Sequence, residues 1–303
     1  MTSTLIALWI LSALPILFEQ RILYMAIYLG VFSLITSIIF LIFGAPDVAL
    51  AEAAISIFST ILFVICFEKH YKIKERIVKI KWRSYILPAV FTVTLVFLVL
   101  RVVPEGEANT YAMEQYIRYF ASDIGGENAV TAIYLGYRLY DTVFEALMLM
   151  VAVVAIAHLS WHHAPVVSEE RRHELLSKHA KRIIYIISPL LPLFGIYLIA
   201  NGHVTAGGGF QGGVALAAFF VCRYMTHGVL DLPFERLLRG EKFVLVSIIV
   251  LALFVVFLGV HNYFTYLPFI QTIYLLVMNA LIGIKVALGF IMLFYRFIAV
   301  ERH

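Results

Sequence analysis

The sequence predicts an all-α, polytopic integral membrane protein of about nine transmembrane helices in blocks of three, two and four, with the N-terminus outside and the C-terminus cytoplasmic. Three observations lead there. Of the 303 residues, 62% are hydrophobic and 14% charged, where a soluble domain runs near half and a quarter; mean hydropathy is +0.94. The hydrophobic residues form stretches long enough to cross a hydrocarbon layer of roughly 30 Å as helices, which satisfy their own backbone. The basic residues, finally, gather at alternate ends of those stretches. A soluble single-core enzyme, a disordered chain and a nucleic-acid binder are excluded by the same composition. The net charge of +4 carries little weight, because only the placement of charge informs in such a chain.

In chain order the predicted spans are Leu5 to Phe18, Ile22 to Phe43, Val48 to Phe67, Ile86 to Val103, Ala129 to Ser160, Ile183 to Ala200, Phe210 to Met225, Phe243 to Val260 and Thr272 to Ile298. The first is short and the fifth is too long for one straight crossing. With nine crossings, all but four of the 23 Lys and Arg residues fall on the inside. The exceptions are Arg101 and Arg118 in outside segments and Arg138 and Lys285 within spans. Met1 to Thr4 holds no basic residue, which disfavours a cleaved signal peptide.

Loops divide the chain into residues 1–83, 84–165 and 166–303. Three helices precede the basic stretch Lys69 to Arg83, two flank an outside loop from Pro104 to Asn128, and four follow the charged linker His162 to Arg182. That linker's His162, His163, His173 and His179 match no standard metal-ligand spacing and read as a solvated loop. Cys66 and Cys222 are too few for an iron–sulfur cluster or a structural zinc site.

Ionisable groups inside spans are the informative residues, because each costs about 2.5–3.5 kcal/mol at mid-membrane and needs a partner, a wet cavity or a task. In the segment Gly44 to Glu52, Pro46 suits a first helical turn and Asp47 reads as its cap. Glu52 lies ~7.5 Å deeper, beyond the reach of capping, and serves either an interhelical hydrogen bond or ion transfer. Arg138, Asp141 and Glu145 share one helical stripe. They form an interfacial ion pair or a buried relay, depending on where that long span enters the membrane. Lys285, near the middle of the last span with Asn279 six residues before it, is too deep to snorkel. Its expected partner is Glu52 or Glu145, and a desolvated lysine is also suited to a proton relay.

Between the sixth and seventh spans lies the glycine loop Gly202 to Gly213. Its GxGxxG spacing lacks the strand and the soluble βαβ unit that a dinucleotide site needs. Gly209 and Gly213 instead predict a close small-xxx-small helix contact, and His203 a hydrogen bond or pH sensor in the outside loop.

Together GAPDVALAE (Gly44 to Glu52), RLYDTVFE (Arg138 to Glu145) and GHVTAGGGFQGG (Gly202 to Gly213) resemble signatures of the multiple-resistance-and-pH (Mrp) sodium/proton antiporter. The first two are similar to the C-terminal part of its large A-type component, with residues 1–83 as the corresponding block. The third, with residues 166–303, is similar to its B-type component. Similar segments recur in energy-converting membrane-bound [NiFe] hydrogenases and sulfur-reducing complexes related to respiratory complex I. There are departures: the family pattern would place threonine at Ala51, glycine at Leu139 and Phe144, and proline at Ala206. Glu52, where the A-type antiporter components carry glutamine, favours the hydrogenase-type assembly. The resemblance implies a cell-membrane subunit of an arm that moves sodium and protons, packed against small membrane subunits and a large antiporter-like one. It implies no redox or hydrolytic site and no cofactor on this chain; a peripheral arm, [NiFe] hydrogenase or sulfur-reducing, would supply electron chemistry. Glu52, Arg138, Asp141, Glu145 and Lys285 would then face one hydrated ion path. Two other readings stand beside it, a scaffold whose charges are merely paired and a self-contained secondary transporter, although no inverted repeat is visible.

Overall fold

The computed structural model describes residues 2–70, 83–102, 110–159, 178–227, 233–260 and 266–299. The basic residues Lys72, Lys74, Arg76, Lys79 and Lys81, the histidines His162, His163 and His173, and Arg171, Arg172 and Arg302 lie outside the described residues. Every regular element among the described residues is helical. Six segments are long and apolar enough to cross a membrane. They belong to α2 (Ile22–Ile42), α3 (Pro46–His70), α7 (Leu139–Leu159), the consecutive α8 (Lys178–Ile187) and α9 (Leu190–Asn201), α11 (Phe234–Val260) and α12 (Pro268–Ala299). Helices α1 (Thr2–Phe18), α4 (Arg83–Val102) and α10 (Gly209–His227) occupy the other three predicted positions without entering that set. The protein is thus a multi-pass, all-helical membrane protein.

Three local departures from the predicted spans have physical causes. The loop predicted to lie outside contains a helix, α5 (Tyr111–Asp123), whose mixed polar and aromatic sequence sets it apart from the apolar runs. The overlong fifth span is broken. Asn128 caps a single turn, α6 (Ala129–Ala132), by accepting from the amides of Val130 and Thr131. A π-helical turn at Ile133–Tyr137 follows, and α7 starts after Arg138, whose φ of −117° and ψ of 35° are not helical. Helix α11 begins nine residues before the predicted span, directly after Pro233, with Glu235 in its first turn. Arg236, Arg239, Glu241 and Lys242 depress hydropathy there without opposing helix formation.

Helix α12 is the hub. It packs against α10, α11, α7, α9 and α3, and 61% of its most apolar window is buried, against 11–22% for the other candidate spans. The shared core contains Val214, Ala217, Ile248, Leu275 and Met278. Toward the N-terminus, α2 packs on α1 and α3, and α3 joins the rest through α10 and α12. Apolar side chains such as Leu29, Phe91, Leu193 and Leu253 point outward, as expected where the solvent is hydrocarbon or another protein chain.

Candidate functional site

The Asp47 motif and the glycine loop, far apart in sequence, converge on Asn128 at one end of the bundle. Asp47, buried in the first turn of α3, does not simply cap its own helix: its Oδ1 accepts from Gly207 N at 3.0 Å and from Asn128 Nδ2 at 3.0 Å. Asn128 Nδ2 also faces the carbonyls of Gly202 and Thr205, at 3.2 and 2.9 Å, while its Oδ1 caps α6. One amide therefore ties the carboxylate of α3, the glycine loop and the start of α6. Gly207 and Gly208, with φ of 153° and 141°, adopt backbone that a side chain would strain, and this turns the Gly207 amide onto Asp47. Gln211 Nε2 adds a bond to the Asp47 carbonyl at 3.3 Å.

From this node a polar line runs inward along α12. Thr131 Oγ1 donates to the Gly202 carbonyl at 2.5 Å, and Tyr134 OH donates to Asn279 Oδ1 at 2.9 Å. The same Asn279 oxygen accepts from Gly209 N at 3.1 Å. The π-turn disturbs the regular ladder, and side chains satisfy its carbonyls: Thr142 Oγ1 donates to Tyr134 O at 2.6 Å and Tyr274 OH to Leu135 O at 2.5 Å. Buried backbone carbonyls freed by a broken helix require such partners. Gly209 and Gly213 lie where α10 crosses α12. A Cβ on Gly209 would stand 2.5 Å from the Asn279 carbonyl oxygen, and one on Gly213 would stand 2.6 Å from that of Gly283. The two helices meet backbone to backbone there.

Six residues beyond Asn279 on α12, Lys285 pairs with Glu241 of α11. The two side chains are 1% and 0% exposed, so the pair is sealed inside the bundle. This corrects the expectation that Lys285 pairs with Glu52 or Glu145. Glu52 accepts from Ser33 of α2, and Glu145 is exposed on the outer side of α7, whereas the early start of α11 carries Glu241 into the bundle. Glu241 Oε2 and Asn279 Nδ2 are buried and have no hydrogen-bond partner among the described residues.

The five residues expected on one ion path are thus distributed over separate places. Glu52 sits half-buried between α2 and α3. Arg138 Nε donates to Asp141 Oδ2 at 2.6 Å at the start of α7, with both side chains at least half exposed. His203 contributes its carbonyl, which accepts from the amides of Glu127 and Asn128, while its Nδ1 is buried without a partner among the described residues. Asn128, Tyr134 and Glu241 take part in these polar contacts and are not singled out by the sequence. Asn128 is readable, as an Asn directly before an apolar run. Glu241 is readable only by extending its helix back to Pro233. Among the described residues, no three His, Cys, Asp or Glu side chains gather as a metal site.

Comparison with known proteins matches two family models in succession. Residues 7–72 match MbhD, the D component of MBH, and residues 179–301 match a domain related to the MnhB subunit of Na+/H+ antiporter. A protein of Staphylococcus saprophyticus described as "Putative antiporter subunit mnhA2" is 30% identical over 158 residues, half of this chain and 19% of that protein. The A component of the Na(+)/H(+) antiporter of Bacillus subtilis is 29% identical over 43% of this chain and 16% of its own length. The chain therefore spans less than a fifth of these A-type relatives. Among solved structures, the Mrp complex from Dietzia sp. DQ12-45-1b aligns with a TM-score of 0.66 at 18% identity, over 94% of this chain and 34% of that one. A chain of the membrane-bound sulfane sulfur reductase, an archaeal respiratory membrane complex, aligns with a TM-score of 0.57 at 22% identity, over 71% of this chain and 98% of that one. The two domain matches follow one another on one polypeptide, an MbhD match and then a match to an MnhB-related domain, and the chain is similar to Mrp-type membrane modules.

Proposed function

We propose that this chain is a membrane-arm component of a complex I-like, Mrp-type assembly in the cell membrane that exchanges sodium for protons. In this reading it crosses the membrane nine times, with the N-terminus outside and the C-terminus cytoplasmic. The observation that carries the proposal is the Lys285–Glu241 pair, sealed at the middle of the most buried helix. A buried ion pair is seldom more stable than apolar side chains of the same volume, so its presence points to a use for the charge. Lys285 carries the ion pathway within this chain, Glu52, Arg138, Asp141 and Glu145 border it only where partner subunits cover their separate places, and the Asp47 node fixes the glycine loop at its mouth. Partner subunits supply the remainder, including a large antiporter-like one. The MbhD match and the nearly complete coverage of the sulfane sulfur reductase chain support a redox-driven arm; the antiporter relatives support a stand-alone exchanger.

One observation favours a scaffold instead: Glu52, the Arg138–Asp141 pair and Lys285 already have partners within the chain. Everted membrane vesicles containing the assembled complex separate the two readings. With Glu52→Gln, sodium-dependent collapse of an imposed pH gradient should fall about tenfold or more while all subunits still co-purify. Undiminished exchange would support the scaffold. Co-purification from native membranes also identifies the attached arm.

A further inference from the structure

One charge on the outside of the bundle is left without a partner among the described residues. Helix α7 buries Leu139, Thr142, Ala146 and Val153 on its inner side. Its outer side carries the exposed Arg138–Asp141 pair, then Phe144, Glu145, Met148 and Val151, all exposed. These six fall at offsets of three and four, so they form one stripe along the helix. Glu145 makes no hydrogen bond or ion pair with the described residues, and stands six residues, ~9 Å, inside the start of α7. A carboxylate has too short a stem to reach the interface from there, and bare lipid is a poor neighbour for it. Arg138 and Asp141 neutralise one another, so the stripe as a whole carries a single uncompensated negative charge.

We infer that this stripe of α7 is the docking surface for a transmembrane helix of another protein in the assembly that presents one basic side chain level with Glu145. The inference rests on the reading of this chain as one part of a membrane complex. One cation balances the stripe, and Phe144, Met148 and Val151 offer apolar contact on either side of it. Arg138 and Asp141, already paired, contribute nothing to the charge balance and mark the edge of the contact toward the π-turn.

The test uses the full chain in its native complex, with a photo-activatable benzoylphenylalanine at Met148 or at Val151, two exposed positions where a larger side chain leaves the packing of the bundle untouched. After illumination the expected product is an adduct to one helix of a partner protein, with a Lys, Arg or His within about one turn of the attachment point. Glu145→Leu should weaken retention of that partner during purification by about tenfold or more, because its cation is then buried alone. Adducts to lipid only, in a complex that keeps all its components, would overturn the docking surface and leave the assembly intact as a reading. An adduct to a helix with no basic residue, or unchanged retention in Glu145→Leu, would overturn the charge pairing. Recovery of the chain without partners would overturn both readings together.

Discussion

Two side chains decide most of the chemistry at the residue scale. Lys285 and Glu241 are stable only as a pair, since each would otherwise be a lone charge in the core. Lys285→Met should therefore lower stability by about 3–5 kcal/mol, and adding Glu241→Gln should recover most of that loss; thermal unfolding of the detergent-solubilised protein measures both. Asn128 acts through geometry instead. Its amide nitrogen faces the Asp47 carboxylate and two carbonyls, while its oxygen caps α6. Asn128→Asp keeps the cap but turns a donor into an acceptor beside a carboxylate. It should therefore destabilise more than Asn128→Ser, and the gap between the two should narrow when the pH falls through the carboxylate range. Equal stabilities at neutral pH would contradict the assigned orientation of the amide. The sequence makes Lys285 visible, because a lysine amid apolar residues stands out, but not its partner. Glu241 is flanked by Gly240 and Lys242 in a charged stretch that reads as a loop end, and only the helix start at Pro233 places it inside the bundle.

At the scale of elements, the contact of α10 with α12 depends on absent side chains. A Cβ at Gly213 would press on the Gly283 carbonyl and on Val286, neither of which can yield without moving a helix, whereas a Cβ at Gly259 of α11 would meet nothing within 4 Å. Gly213→Ala should cost about 1–3 kcal/mol. Gly259→Ala should be neutral or stabilising by up to about 1 kcal/mol, because alanine is the better helix former. Thermal scans of the two variants side by side check the contrast, and a harmless Gly213→Ala would mean that the helices pack differently. This contact is legible from the four-residue spacing of Gly209 and Gly213. The break in the fifth span is legible only as an excess of length: nothing in Ile133–Tyr137 announces a π-turn except Gly136, whose missing side chain makes room for Ile124. The hydroxyls that complete the turn come from Thr142 and from Tyr274 of α12, so the turn is a tertiary feature that local sequence cannot specify.

On the scale of the whole molecule, one polar line links the Asp47 node to Asn279, and the Lys285–Glu241 pair stands separately six residues further along α12, in an apolar bundle centred on that helix. The positions of the nine apolar stretches and the order of the three motifs can be read from composition and spacing, because both follow from the membrane's demand for buried backbone and apolar surface. Which charges meet cannot, since that depends on the rotation of each helix about its axis and on where α7 and α11 begin. The exposed charge at Glu145 fits the proposed docking surface, and the chain spans less than a fifth of its A-type relatives. In the proposed function the buried Lys285–Glu241 pair moves ions and does not merely hold helices together. The direct measurement is sodium/proton exchange by everted vesicles carrying the Lys285→Met, Glu241→Gln double variant, which retains neither charge. With complex composition and thermal stability near those of the parent, exchange should fall by about tenfold or more; exchange at the parental rate in that same complex would leave the buried pair a purely structural one.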